Sequence, residues 1–241
     1  MIIGGLEKLT LLDYPDHLAA IIFTGGCNFR CHFCYNPMLV LPQSGKDVKI
    51  KKEKGFSPIP IKDLFLFLSE RFGRLEGVVI TGGEPTLHPD LPSFIKKIKD
   101  IGYLVKLDTN GTNPEMLARL IKSKLIDYIA MDLKAPLAKY ETVVGVPVNC
   151  NNLQKSVKII MTSSLPYEFR TTVVPGLLGK EDFSKMGEVI RGATKWYLQN
   201  FKADTDLVDA NYQEQEAYTN KEMKDFAAIG RKYVDLCEVR G

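Results

Sequence analysis

The stretch GVVITGGEPTLHPDLPSFIKKIKDIG, residues 77–102, reads as one strand followed by one helix. GVVITG (77–82) is a short run that is apolar on both faces, as strands of a covered parallel sheet are. Phe94, Ile95, Ile98 and Ile101 then make an apolar stripe at helical spacing, and Gly102 is placed to stop it. The same alternation extends in both directions. LAAIIFT (18–24), YLVKLDT (103–109), DYIAMDLK (127–134), EFRTTVV (168–174) and KWYLQNF (195–201) read as strands. Helical stripes fall between them. Leu64, Phe65, Phe67, Leu68 and Phe72 form one. Met116, Leu117, Leu120 and Ile121 form another, behind an Asn113-Pro114-Glu115 start. Leu153, Val157, Ile160 and Met161 give the next, and Phe183, Met186, Val189 and Ile190 the one after. Thr219 to Glu222 fits a capping box ahead of Met223, Phe226 and Ala227.

The strand–helix pattern recurs about six times, which calls for a parallel sheet with right-handed crossovers. Six units are too few to close an eight-stranded barrel. The expected fold class is therefore α/β, a partial (β/α)6 barrel of parallel strands, open on one side. A doubly wound sheet is the rival. Both place ligands at the carboxyl ends of the strands. The chain reads as a single domain over residues 1–241, with a core of about 15–205 and a helical C-terminal extension over about 206–241.

Composition narrows the class. The chain has 241 residues, 45% hydrophobic and 25% charged, which is ordinary for a globular protein and excludes disorder as its main state. The longest apolar run, Leu18 to Phe23, is far too short to span a bilayer. MIIGGLEKL lacks the basic start and apolar stretch of a signal peptide. A cytoplasmic protein is expected, with neither membrane nor nucleic acid as partner. The net charge is +3, and residues 46–54 (KDVKIKKEK) account for all of it. That run reads as a solvated loop, with a docking patch for an acidic partner as the rival.

Five cysteines is an odd number, and three of them fall within eight residues. This argues against a disulfide framework and for a reducing compartment. Cys27-x3-Cys31-x2-Cys34 follows directly on the strand 18–24. Three thiolates this close can grip one inorganic centre. On a four-iron cluster they leave one iron open to a substrate. Zinc, with His32, Cys150 or Cys237 as fourth ligand, is the alternative, but zinc sites usually pair two separated clips and no second clip is seen. Other strand ends also carry chemistry. Gly82 and Gly83 let a ligand reach the backbone, Glu84 can accept from an ammonium group, and Pro85 stiffens the turn. Asp108 ends the third strand beside the turn-forming Asn110-Gly111. Alternation puts Asp132 and Lys134 on one face, in reach of a zwitterion; a rim salt bridge is the bland reading. Arg170 and Gln199 lie on the last two strands and face either a ligand or the core.

CNFRCHFC (27–34) resembles the cluster loop of the radical S-adenosylmethionine (SAM) enzymes, with Phe33 at its aromatic position. The resemblance implies one 4Fe-4S cluster held by Cys27, Cys31 and Cys34, whose open iron chelates SAM. One electron from the cluster then yields methionine and a 5′-deoxyadenosyl radical. GGEP (82–85) resembles the motif that binds the amino group of SAM. LDTNG (107–111) with Asp132-Leu133-Lys134 resembles the glycyl radical enzyme activases, as does Cys34-Tyr35-Asn36. There the counterparts of Asp108, Thr109 and Asp132 lie by SAM and a monovalent cation, and that of Lys134 contacts SAM. Phe33, Tyr35, Asn36, Gly82, Gly83, Glu84, Asp108, Thr109, Asp132, Lys134 and Gln199 are thus implied around SAM.

The fuller run VVITGGEPTLHPDL, VKLDTNG, DYIAMDLKAP, EFRTTVVPG and YLQNF looks most like the activating proteins of anaerobic ribonucleoside-triphosphate reductase. That implies a glycyl radical enzyme as protein substrate and reduced flavodoxin or ferredoxin as electron donor. Activases of pyruvate formate-lyase type and small-molecule enzymes like 7-carboxy-7-deazaguanine synthase are the alternatives. Cys150 and Cys237 are too few for a second cysteine-held cluster and read as ordinary small residues. His17, His32 and His88 receive no catalytic role, since the radical needs no general base.

Overall fold

The computed structural model describes residues 1–40, 57–204 and 206–240. The lysine-rich run 46–54 lies outside them. Eight strands are seen: β1 (Ile3–Thr10), β2 (Ala19–Thr24), β3 (Gly77–Gly82), β4 (Leu104–Thr109), β5 (Tyr128–Asp132), β6 (Tyr167–Val173), β7 (Lys195–Asn200) and β8 (Leu236–Arg240). Between them run helices α1 (Ile61–Arg71), α2 (Leu91–Ile101), α3 (Pro114–Lys122), α4 (Tyr140–Val144), α5 (Cys150–Thr162), α6 (Lys180–Val189) and α7 (Asn220–Gly230). Each of β2 to β7 is followed by a helix, so the strand–helix alternation is that of the sequence. The strands keep chain order in an open sheet, and neither end strand pairs back to close a barrel: β1 pairs with β2, and β8 with β7.

The chain divides into two compact units. The first comprises Met1–Asn28, Met38–Thr109 and Glu115–Ile129. In it β2, β3 and β4 are parallel and in register, with Ile22 beside Ile80 and Ile80 beside Leu107. β2 and β3 are buried on both faces, which explains their unbroken apolar runs. Tyr14, Ala19, Ile21, Val79 and Tyr128 form one apolar cluster, with Phe23 and Leu104 packed on it. Asp127 pins the start of β5: its carboxylate takes Lys99 Nζ and the Val105 N–H, each at 2.7 Å. Helix α2 ends on Gly102 at φ +114, the left-handed stop that the sequence places there.

The second unit comprises Phe29–Pro37, Asn110–Pro114 and Ala130–Gly241. Here β6, β7 and β8 are parallel. Phe183 of α6 stacks on Phe226 of α7, with centroids 4.5 Å apart, and tilts against Trp196 of β7 at 6.0 Å. The Trp196 indole N–H donates to Thr171 Oγ1 at 2.9 Å, and that hydroxyl donates to the Leu133 carbonyl at 2.6 Å. The buried polar groups of this core are thereby satisfied in a chain. The capping box of α7 forms as expected: the Thr219 N–H meets Glu222 Oε2 at 2.8 Å, and the Glu222 N–H meets Thr219 Oγ1 at 3.3 Å.

Two strands depart from the sequence reading. β1 is an antiparallel edge strand with two register breaks, so its side chains do not alternate cleanly and leave no period to read. The C-terminal stretch expected to be helical carries α7 and then β8. LCEVR has five residues, too few to show a period, and only Cys237 among them is buried. Phe183 is the keystone of the second unit. Phe183→Ala should cost about 3–5 kcal/mol in urea unfolding, with the steepest loss in protection of α6 and α7 amides.

Candidate active site

In the first unit, the turn after β3 packs backbone against backbone. The Gly83 N–H donates to Thr24 O and the Glu84 N–H to Gly26 O, both at 2.8 Å. A Cβ on Gly83 would fall 1.9 Å from Gly26 O, and one on Gly82, at φ +110, would fall 2.4 Å from Thr24 N. Close approach therefore requires both glycines, and Gly82 is required by its conformation as well. Glu84 is buried and caps the short turn Pro85–Leu87. Its Oε1 accepts from the Thr86 N–H at 3.1 Å, from the Thr86 hydroxyl, and from Thr109 Oγ1 at 2.7 Å. GGEP and the end of β4 are thus brought together, as their places on adjacent strands require. Asp108 is also buried there, with Lys106 Nζ 2.8 Å from its Oδ1. His88 ties this turn to the start of the cysteine loop, its Nε2 donating to Gly25 O at 3.1 Å. Burial lowers its pKa, which favours the neutral ring. Cys27 is half-buried in the same unit.

The second unit holds the rest of the cysteine loop. Cys31 is buried and Cys34 half-buried, and the Cys34 N–H donates to Cys31 O at 3.1 Å. Burial pushes the Cys31 thiol up to about 11, against the pull of the Lys134 ammonium. Burial raises Cys34 too, opposed by the Asn36 backbone N–H and by Lys134. Lys134 Nζ lies 6.0 Å from the centroid of the Phe33 ring and 3.2 Å from Asp132 Oδ2. Arg170 meets the other oxygen of Asp132, with Nε and Nη2 each 3.0 Å from Oδ1. Burial alone would raise the Asp132 carboxyl; Arg170 and Lys134 outweigh it and hold it at about 2. The same carboxylate, with Cys31 and Tyr140, raises Lys134 against its own burial. The structure thus gathers Phe33, Asp132, Lys134 and Arg170. The Tyr35 hydroxyl accepts the Lys202 N–H at 2.9 Å, and its ring stacks on Phe201 at 6.3 Å. Gln199 is half-buried on β7, between Thr172 and Arg240 in register.

Segment 137–145 was missing from the sequence reading. Tyr140 is fully buried; its hydroxyl lies 3.4 Å from Asp132 O and 3.2 Å from the Lys134 N–H. Its ring faces Phe29 at 6.1 Å. The Arg30 N–H donates to Val144 O at 2.8 Å, and a Cβ on Gly145 would come within 2.7 Å of Arg30 O. His32 Nε2 meets Thr142 O at 3.1 Å, while Nδ1 pairs with Asp209 at 3.2 Å. Helix α4 and residues 209–212 therefore clamp the cysteine loop. At five residues, α4 is too short to display a helical period.

Among the described residues, no group of three or more His, Cys, Asp or Glu side chains is already gathered as a site for one metal ion. A cluster makes a different demand, because each thiolate takes a separate iron and the three need not converge on a point. The donor set fits such a group: soft sulfurs at short spacing, with the Lys134 ammonium pulling both Cys31 and Cys34 toward the thiolate that iron requires.

The model of the Radical SAM superfamily matches residues 21–189. The chain belongs to this superfamily. Its cofactors are accordingly a 4Fe-4S cluster and SAM. It is 30% identical over 245 residues to a glycyl-radical enzyme activating enzyme of Methanocaldococcus jannaschii, covering 99% of this chain and 95% of that one. It is 29% identical over 194 residues to the pyruvate formate-lyase-activating enzyme of Staphylococcus epidermidis, covering 77% of this chain and 73% of that one. In fold it is similar to Streptococcus suis SuiB bound to precursor peptide SuiA, with a TM-score of 0.63 at 16% identity over 92% of this chain and 48% of SuiB.

The Asp132 pair carries a pH signature. A carboxyl held at about 2, against an ordinary 3.8, contributes stability that is present above the ordinary value and lost as pH falls through the lower one. Arg170→Met removes the stronger of the two charge–charge attractions behind that hold. Urea unfolding should show the variant less stable than wild type above about pH 4, with the gap closing toward pH 2. A gap that stays constant over that window would place the effect elsewhere.

Proposed function

We propose that this chain is an activating enzyme that removes hydrogen from a backbone glycine of a partner enzyme, and that the partner is an anaerobic ribonucleoside-triphosphate reductase. The observation that carries the activase reading is the extent of one likeness. The Methanocaldococcus jannaschii relative aligns over 95% of its own length, so the likeness is not confined to the superfamily core. The supply of cysteines agrees. Cys237 is fully buried on β8 against Gly230 of α7, outside the cysteine loop, and reads as a core residue. Cys150 Sγ lies 3.6 Å from Leu137 O, on a helix outside the cysteine loop. One cluster is therefore the reading, as a minimal activase requires. The choice of reductase rests on the motif run VVITGGEPTLHPDL, VKLDTNG and DYIAMDLKAP.

Cys27, Cys31 and Cys34 would hold the cluster by three of its irons. Gly82 and Gly83, packed on Thr24 and Gly26, set the course of the turn that would meet the methionine end of SAM. Glu84, its Oε1 fixed by three donors, presents its carboxylate toward the ammonium group. Asp108, Thr109, Asp132, Lys134 and Gln199, with Phe33, Tyr35 and Asn36, would line the remainder. Bound together, reduced cluster and SAM supply a carbon-centred radical able to take a hydrogen atom. The protein orients these groups and excludes quenchers; nothing in the reaction calls for a general base, and the contacts of His32 and His88 are structural. Reduced flavodoxin or ferredoxin is the proposed electron donor, and an anaerobic cytoplasm the proposed setting. No helix among the described residues is long and apolar enough to cross a membrane.

The test is glycyl radical formation. Reconstituted protein, reductant and SAM would be mixed with anaerobic ribonucleotide reductase or, separately, with pyruvate formate-lyase. A glycyl doublet in the EPR spectrum of the reductase is the expected result. A doublet only in the lyase would reassign the partner. No doublet in either, with SAM cleaved, would favour a small-molecule substrate.

A further inference from the structure

Strand β4 carries a buried ion pair whose lysine the chemistry above does not use. Lys106 and Asp108 lie two residues apart, hence on one face of the strand. Lys106 is 1% exposed and Asp108 6%. The ammonium is 2.8 Å from Asp108 Oδ1. Lys106 is the register neighbour of Val79, which belongs to the same apolar cluster as Tyr128. Its ammonium stands 5.8 Å from the centroid of the Tyr128 ring. An ammonium in such surroundings is tolerated only when paired, and the same holds for the carboxylate it meets. In the second unit the half-buried Asp132 is also paired, with Lys134 on one oxygen at 3.2 Å and Arg170 on the other at 3.0 Å.

Asp108 and Asp132 are the two carboxylates that the family resemblance places beside a monovalent cation. A carboxylate withdrawn from water needs a positive charge nearby, and an ion taken from solvent is one way to supply it. Here each already has a cation tethered to the chain. A further ion beside either would meet an ammonium or guanidinium of like sign. The residues present do not fit a bound monovalent cation.

We propose that Lys106 is the built-in countercation of Asp108 and its positioning residue, so that SAM binding by this protein is independent of monovalent cations. Tethering fixes the charge without dilution or exchange, and it sets the direction of the carboxylate at the carboxyl end of β4. The inference rests on the reading of Asp108 as a residue lining the SAM site.

The experiment uses cluster-reconstituted protein in choline chloride as the only salt, with and without added potassium or ammonium chloride. SAM affinity and the thermal midpoint are both read. Wild type should be indifferent to the added ion in both. Lys106→Met should bind SAM about tenfold more weakly or worse in choline and recover with potassium or ammonium, with its midpoint rising alongside. Lys106→Arg should stay close to wild type. If Lys106→Met does not fold, the double variant Lys106→Met with Asp108→Asn removes both charges. It should fold and be indifferent to the ion. Potassium-dependent SAM binding by wild type would overturn the proposal. So would a Lys106→Met protein equal to wild type in choline, or one whose loss no ion relieves. If wild type with full iron and sulfide binds no SAM, the functional reading fails; the midpoints still decide whether Lys106 replaces an ion.

Discussion

A carboxylate taken out of water must be met by fixed donors or a fixed cation, and the strand ends of this protein are arranged around that demand. Glu84 receives three donors on one oxygen. Asp108 receives Lys106, and Asp132 receives Lys134 and Arg170. These contacts do more than satisfy charge. Thr109 links the end of β4 to the GGEP turn after β3, and Arg170 links β6 to β5. Each acid is thereby oriented before any ligand arrives, which is what positioning a substrate for radical chemistry requires.

The cysteine loop obeys a different constraint. Thiols buried without compensation stay protonated, and protonated thiols do not bind iron. Burial raises both Cys31 and Cys34, and Lys134 opposes it at each. The one ammonium thus serves two purposes, holding Asp132 and drawing the thiols toward ionisation. Around it, helix α4 and residues 209–212 grip the loop through the Arg30 backbone and the His32 ring, at positions that the CxxxCxxC pattern leaves unspecified.

Most of this was legible in the sequence where a short pattern repeats a physical rule. The apolar runs of β2, β3 and β5 stand out, because strands buried on both faces have few polar positions to blur them. Gly102, the Thr219–Glu222 box and the Pro114 start marked helix ends by known conformational preference. The cysteine spacing and GGEP carried the resemblance to the family. What escaped has equally physical reasons. β1 breaks register twice and β8 has five residues, so neither shows a period. Tyr140 and Gly145 matter through contacts with residues about a hundred positions away, which no local pattern records. Lys106 was passed over inside YLVKLDT because a lysine between apolar residues reads as the exposed side of a strand. Only the structure places it at 1% exposure against Asp108.

The central claim is that Cys27, Cys31 and Cys34 carry a cluster that cleaves SAM. Its most direct measurement is 5′-deoxyadenosine formation by anaerobically reconstituted, reduced protein, set beside a variant with all three cysteines changed to alanine. The account predicts product from wild type and none from the triple variant. A wild type with its full complement of iron and sulfide that forms none, or a triple variant that forms it equally, would contradict it.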